Sequence, residues 1–203
     1  MLLPILTMRG LIAAAMASIA LGAFAQNAQP VQPPAGLKWQ WMHEIVFNST
    51  NFSSTGTDDE RSLLAKIWAK ELKNSTKKSP ITGQLLPSFT LIGTVQYKDT
   101  TTILTMFDNA GSGCISPGNG QGMVDMYLTC PLRLIKLYPE GKFSSQDLSK
   151  NFCMLFGDDS NNPRSKNHNE YAFDMTSGIV YLRLIQYGKI VPVCNRALRI
   201  FRV

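Results

Sequence analysis

The sequence predicts an α+β fold: mainly antiparallel β-sheet with one main amphipathic helix, stapled by two disulfides. Three observations carry that expectation. From residue 88 onwards, β-branched and apolar residues recur in runs of strand length between Gly- and Asn-rich turns. Before residue 88, a strong helical period appears only over 57–74. Four cysteines, an even number, sit behind an export signal, where disulfides are the ordinary state of thiols.

The signal lies at the front. Residues 10–25 form an apolar run closed by Ala23-Phe24-Ala25, whose small residues fit a signal peptidase. A signal peptide over 1–25, cut before Gln26, is therefore expected. The run is shorter than the roughly 20 residues that span a bilayer, so no transmembrane anchor is expected after cleavage. Residues 26–37 hold three prolines and no charge, and read as a Pro-rich tether. Residues 38–203 then form a single globular α+β domain, a size that one hydrophobic core can fill.

Within that domain, residues 39–47 read as a first strand. Thr57 with Glu60 makes a capping box, and Asp58 and Asp59 lie where the helix dipole favours negative charge. Leu63, Leu64, Ile67, Trp68 and Leu72 recur on one face, and the helix should end near Asn74. Trp68 is read as a core anchor. Residues 88–97 and 100–107 form a hairpin turning at Lys98-Asp99. A loop with five glycines fills 108–122, and 123–138 reads as one long or broken strand, interrupted at Pro131. Residues 144–150 are expected to make one helical turn, with a strand over 151–156. The last strands cover 170–175, 178–187 and 190–203, the final one bent or split by Pro192.

Three disulfide pairings are open to Cys114, Cys130, Cys153 and Cys194. Cys114–Cys130 with Cys153–Cys194 is preferred, because the first closes the short glycine-rich loop. A zinc site lacks any Cys-x-x-Cys pair or neighbouring histidine.

No catalytic signature stands out. His43-Glu44 begins a zinc-protease motif, but Phe47 replaces its second histidine. With His43 and His168 the only histidines, no metal or cofactor is expected. The glycines around Gly118–Gly122 lead into a strand, without the lysine and helix that a phosphate loop requires. Asp158 to Asn162 resembles half a calcium loop, yet Pro163 spoils both registers. Seven Lys/Arg (164, 166, 183, 189, 196, 199, 202) face only Glu170 and Asp174 in the C-terminal stretch. No recognition helix or aromatic ribbon accompanies them, so nucleic acid is not expected as a partner.

The expected function is an exported, periplasmic or secreted, non-enzymatic module that binds a protein of the cell envelope, such as an inhibitor or immunity factor. Its contacts are assigned to Cys114, Ser116, Asn119 and Gln121 in the pinned loop. The second set is Asp158, Asp159, Asn161, Arg164 and His168 in the polar loop. The alternatives are an envelope hydrolase using His168 with a nearby carboxylate, and a polyanion binder using the C-terminal arginines.

Overall fold

The computed structural model describes residues 32–49, 54–109, 114–115, 127–139, 142–155 and 166–201. The signal segment and the first half of the tether lie outside them. Among the described residues the chain is mostly antiparallel β-sheet with few helices. No described helix is long and apolar enough to cross a membrane.

One sheet is a meander of β2 (His43–Phe47), β3 (Ser88–Tyr97), β4 (Thr100–Asp108), β5 (Leu128–Leu137) and β6 (Phe143–Met154). The other orders β1 (Gln40–Trp41), β7 (His168–Asp174), β8 (Ile179–Gln186) and β10 (Arg196–Arg199), with β9 (Lys189–Ile190) also on β8. Leu91, Leu104, Met106 and Leu132 of the meander meet Tyr171, Val180 and Leu182 of the second sheet in the main core. On the meander's other face, Ile45, Ile92, Ile103 and Ile135 pack beneath Leu64 and Trp68 of the helical segment. Both faces of β3–β5 are thus buried, which is why their sequences read as near-continuous apolar runs.

The capping box is present: Thr57 Oγ1 accepts from Glu60 N at 3.2 Å, and Glu60 Oε2 accepts from Thr57 N at 2.8 Å. The helix differs from expectation further on. It divides into α1 (Asp58–Ile67) and α2 (Ala69–Asn74), because Trp68 leaves helical geometry at φ −103°, ψ 20° to reach the core. The first strand is also two. Met42 N donates to Asn169 O at 2.9 Å, and at that residue the chain passes from one sheet to the other.

Two further expectations are corrected. Residues 144–150 are not a helical turn but part of β6, an edge strand paired along its length with β5. Its first residues are exposed on both faces, so no period-two alternation marks them. Pro131 does not interrupt β5; the ladder absorbs its missing N–H through register shifts on either side of it. The split at Pro192 does occur, as a 3-10 turn over Pro192–Cys194 between β9 and β10. The β3–β4 hairpin turns at Lys98-Asp99 as the sequence indicates. The β8–β9 hairpin turns on Tyr187 (φ 52°) and Gly188 (φ 73°), the two left-handed positions of a tight hairpin loop.

Tyr171 bridges the sheets. Its hydroxyl accepts from Thr94 N at 3.2 Å and lies 3.1 Å from Thr94 O, while its ring covers Gly93. A Cβ on Gly93 would stand 2.9 Å from that ring. Gly93→Ala should therefore destabilise the fold by about 1–3 kcal/mol, since the buried ring cannot yield cheaply. Urea unfolding with an unchanged transition midpoint would contradict this close packing.

Candidate functional site

Two regions concentrate chemistry. The first is the outer face of the β1–β7–β8 sheet. Strand periodicity places Trp41, Glu170 and Arg183 as direct cross-strand neighbours, with His168 two residues along the same face. His168 Nε2 lies 2.9 Å from Glu170 Oε1, and Arg183 Nε donates to Glu170 Oε2 at 2.5 Å. Both partners of Glu170 rest on a tryptophan. Trp41 stacks on His168 with ring centroids 4.0 Å apart, and the Arg183 guanidinium sits 3.7 Å from the Trp39 ring.

Glu170 is 8 % exposed. Burial pushes its carboxyl up, but the hydrogen bonds and charges of His168 and Arg183 outweigh that and hold it below the usual range. A depressed carboxyl contributes stability above its unfolded pKa and loses it as pH falls through the folded value. The melting temperature should thus fall with acid below the ordinary glutamate value of 4.5. Glu170→Gln should show a lower melting temperature at neutral pH and a shallower acid fall. An acid profile parallel to the wild type would remove Glu170 from this account.

Beside this cluster runs an open cleft of about 600 Å³, walled by Pro33, Pro34, Leu37, Trp39, Ile190 and Pro192, with Arg183 in its lining. Residues 32–37 of the tether thus lie along the domain as one wall of the cleft.

The second region is the end of the sandwich that carries the loop stems. Cys114–Cys130 and Cys153–Cys194 are the disulfides formed, the pairing preferred from sequence. The first loop leaves after Asn109 and returns at Tyr127. Besides its disulfide it is pinned by Ile115 N to Thr129 O (2.9 Å) and Thr129 N to Ile115 O (2.8 Å). The second leaves after Leu155 and returns at Lys166. Asn169 clamps its outgoing stem, donating to Cys153 O at 2.8 Å and accepting from Leu155 N at 2.9 Å. Asn167 Oδ1 and Lys166 O fix the returning stem to the β8–β9 turn through Tyr187 N and Gly188 N. Leu128 pairs with Met154, so the two loops depart from the same end.

Of the residues assigned to contact, Cys114 and His168 are described, and both are 8 % exposed. Cys114 acts as an anchor for its loop. Ser116, Asn119, Gln121, Asp158, Asp159, Asn161 and Arg164 lie outside the described residues. The structure joins His168 to Glu170, and adds Arg183, Trp39 and Trp41, which the sequence reading did not single out. A signal for them existed: Trp39-x-Trp41 has strand period, and Arg183 is a lone charge inside the apolar run 179–185. His43 pairs instead with Glu60, at 3.0 Å, while Glu44 is buried.

Two of the C-terminal arginines, Arg196 and Arg199, are tied to the chain itself. Arg196 donates to Val193 O and Asn195 O, and Arg199 to Ser177 O at 2.8 Å. Among the described residues no group of three or more His, Cys, Asp or Glu converges as metal ligands would. Comparison with protein-family models, curated proteins and solved structures finds no match to this chain.

Proposed function

We propose that this chain is an exported α+β module, periplasmic or secreted, which binds another protein of the cell envelope without catalysing a reaction. An inhibitor or an immunity factor works in this way. The observation that supports the reading is the common origin of the two loops. Their stems leave one end of a rigid sandwich, each held by a disulfide, the first also by the Ile115–Thr129 backbone pair and the second by the buried Asn169 side chain. Long polar loops on such a base give a contact surface that can change in sequence without disturbing the core.

The test replaces residues 116–122 and 158–164 by Gly-Ser segments of equal length. Wild type should retain one stoichiometric envelope partner through a high-salt wash. The loop variant should keep its melting temperature and lose that partner. Equal capture by both proteins would refute the loops as the contact surface.

The His168–Glu170 contact is what favours a second reading, an envelope hydrolase. A general base must reach the proton that it removes. Here Nε2 faces Glu170, and Nδ1 is sealed from solvent with no hydrogen-bond partner among the described residues. The imidazole is better placed to hold Trp41 and Glu170 together than to meet a substrate. His168 is buried and so leaves the contact set, and His168→Ala separates the readings: a hydrolase loses turnover, whereas the binding module, held by its loops, keeps its partner while losing some stability.

A further inference from the structure

The cleft beside the two tryptophans takes no part in the loop surface. Its volume, about 600 Å³, falls in the range of sites for small organic ligands. Two segments build its walls. Leu37, Trp39 and Trp41 are half-buried while Lys38 and Gln40 are exposed, so strand period turns the apolar side chains towards the domain. Ile190 and Pro192 form the other side, beyond the β8–β9 turn.

Arg183 is the one charged side chain among the described lining residues. Glu170 takes its Nε edge, and Trp39 covers one face of the guanidinium. Its two terminal nitrogens have no hydrogen-bond partner among the described residues. They are not sealed from solvent either, since the side chain is 20 % exposed. Asn195 stands beside it: the register that sets Arg196 opposite Leu182 carries Asn195 opposite Arg183. The Asn195 Oδ1 is buried, which leaves Nδ2 as the reachable end of that amide. Arg183 and Asn195 thus offer N–H donors and no acceptor. The wall segments 32–39 and 189–196 hold Lys38, Lys189 and Arg196 but no Asp or Glu. Glu170, the acid behind Arg183, is buried and shared with His168.

We propose that this cleft binds a small carboxylate with a hydrocarbon body. A carboxylate is an acceptor-only group, and its two oxygens match the terminal edge of a guanidinium that is already fixed in place. The hydrocarbon body leaves water against Leu37, Trp39, Ile190 and Pro192. A peptide C-terminus fits less well, because it brings an amide N–H that neither Arg183 nor Asn195 can accept. The site is separate from the loop surface and acts whether or not the loops hold a partner.

The test is isothermal titration of the full chain with octanoate and with octanol, its neutral counterpart. Octanoate should bind about tenfold or more tighter, the effect of hydrogen bonds to a charged group. Arg183→Gln should bring octanoate down to the affinity of octanol. That variant also opens the Glu170 contact, so Ile190→Ser probes the wall alone. Ile190 lies in the two-residue strand β9 with its side chain 47 % exposed, and the melting temperature should be retained. Ile190→Ser should weaken octanoate and octanol alike, by about threefold or more. Every variant retains residues 10–25, so differences among them report on the cleft rather than on that apolar segment. Equal affinity for octanoate and octanol, or octanoate binding undiminished in both variants, would overturn the proposal. Tighter binding of N-acetyl-leucine than of octanoate would overturn it too, and would give the cleft to a peptide C-terminus.

Discussion

Trp68→Ala is expected to remove about 3–5 kcal/mol of stability, the range for deleting a buried indole. Trp68 is 3 % exposed and stacks on Phe107 with centroids 5.1 Å apart. Its Nε1 donates to Thr105 Oγ1 at 3.1 Å, and Thr105 is fully buried. On the indole rests the Arg133 guanidinium, 3.9 Å from the ring, which also donates to Ile67 O and Glu71 Oε1 at 2.8 Å each. Alanine would leave a cavity between helix and sheet and remove the ring that supports Arg133. It would also strip the Thr105 hydroxyl of the donor it accepts from Trp68, a loss that adds to the cavity. Trp68→Phe keeps most of the volume and should cost less than half as much. Urea unfolding of both variants measures this directly. A loss below about 1 kcal/mol for Trp68→Ala would mean that the helices do not rely on this anchor. Below its melting point Trp68→Ala should still capture the partner, because the indole faces the core rather than a ligand.

The same residue marks how far the sequence could be read. Leu64 and Trp68 stand at helical spacing, and Thr57 with Glu60 announces the start, so the helix was visible in local pattern alone. The break at Trp68 was not, since it depends on where the meander places Phe107 and Thr105. The β3–β4 hairpin was legible because its turn and its β-branched flanks are local. β6 was hidden for the opposite reason: Phe143 to Asp147 pair with β5 at the sheet edge but are exposed on both faces, so no buried face imposes alternation on them. The site divides in the same way. His168 and Glu170 are two residues apart and share a strand face, so their meeting follows from period two. Arg183 joins them only through the β7–β8 register, and Trp39 and Trp41 only through the antiparallel pairing of β1. Long-range register is what a single sequence states least clearly.

Removing the Cys153–Cys194 bridge, by Cys153→Ala with Cys194→Ala, should cost about 4 kcal/mol on the chain-entropy account. The bridge joins β6 of the meander to the 3-10 turn of the other sheet and spans a separation of 41 residues. Cys114–Cys130 spans 16, and its removal should cost about 3 kcal/mol by the same relation. The order matters more than the two values, because native packing acts in the same direction. Cys153 and Cys194 sit in a cluster with Tyr127, Leu155 and Leu184, so their sulfur atoms also leave a void there. Leu155 is the last described residue before the second loop, and the Asn169 clamp on Cys153 O shares that stem. Loss of this bridge should therefore weaken partner capture at temperatures where the domain is still folded. Loss of Cys114–Cys130 should act on the first loop in the same way, with the smaller effect on the melting temperature. Thermal unfolding and capture, measured on both double variants, separate the two contributions. Were the Cys153–Cys194 variant to lose stability but bind as wild type does, the second loop would be holding its shape without its stem. The contact surface would then shift to the loop anchored by Cys114.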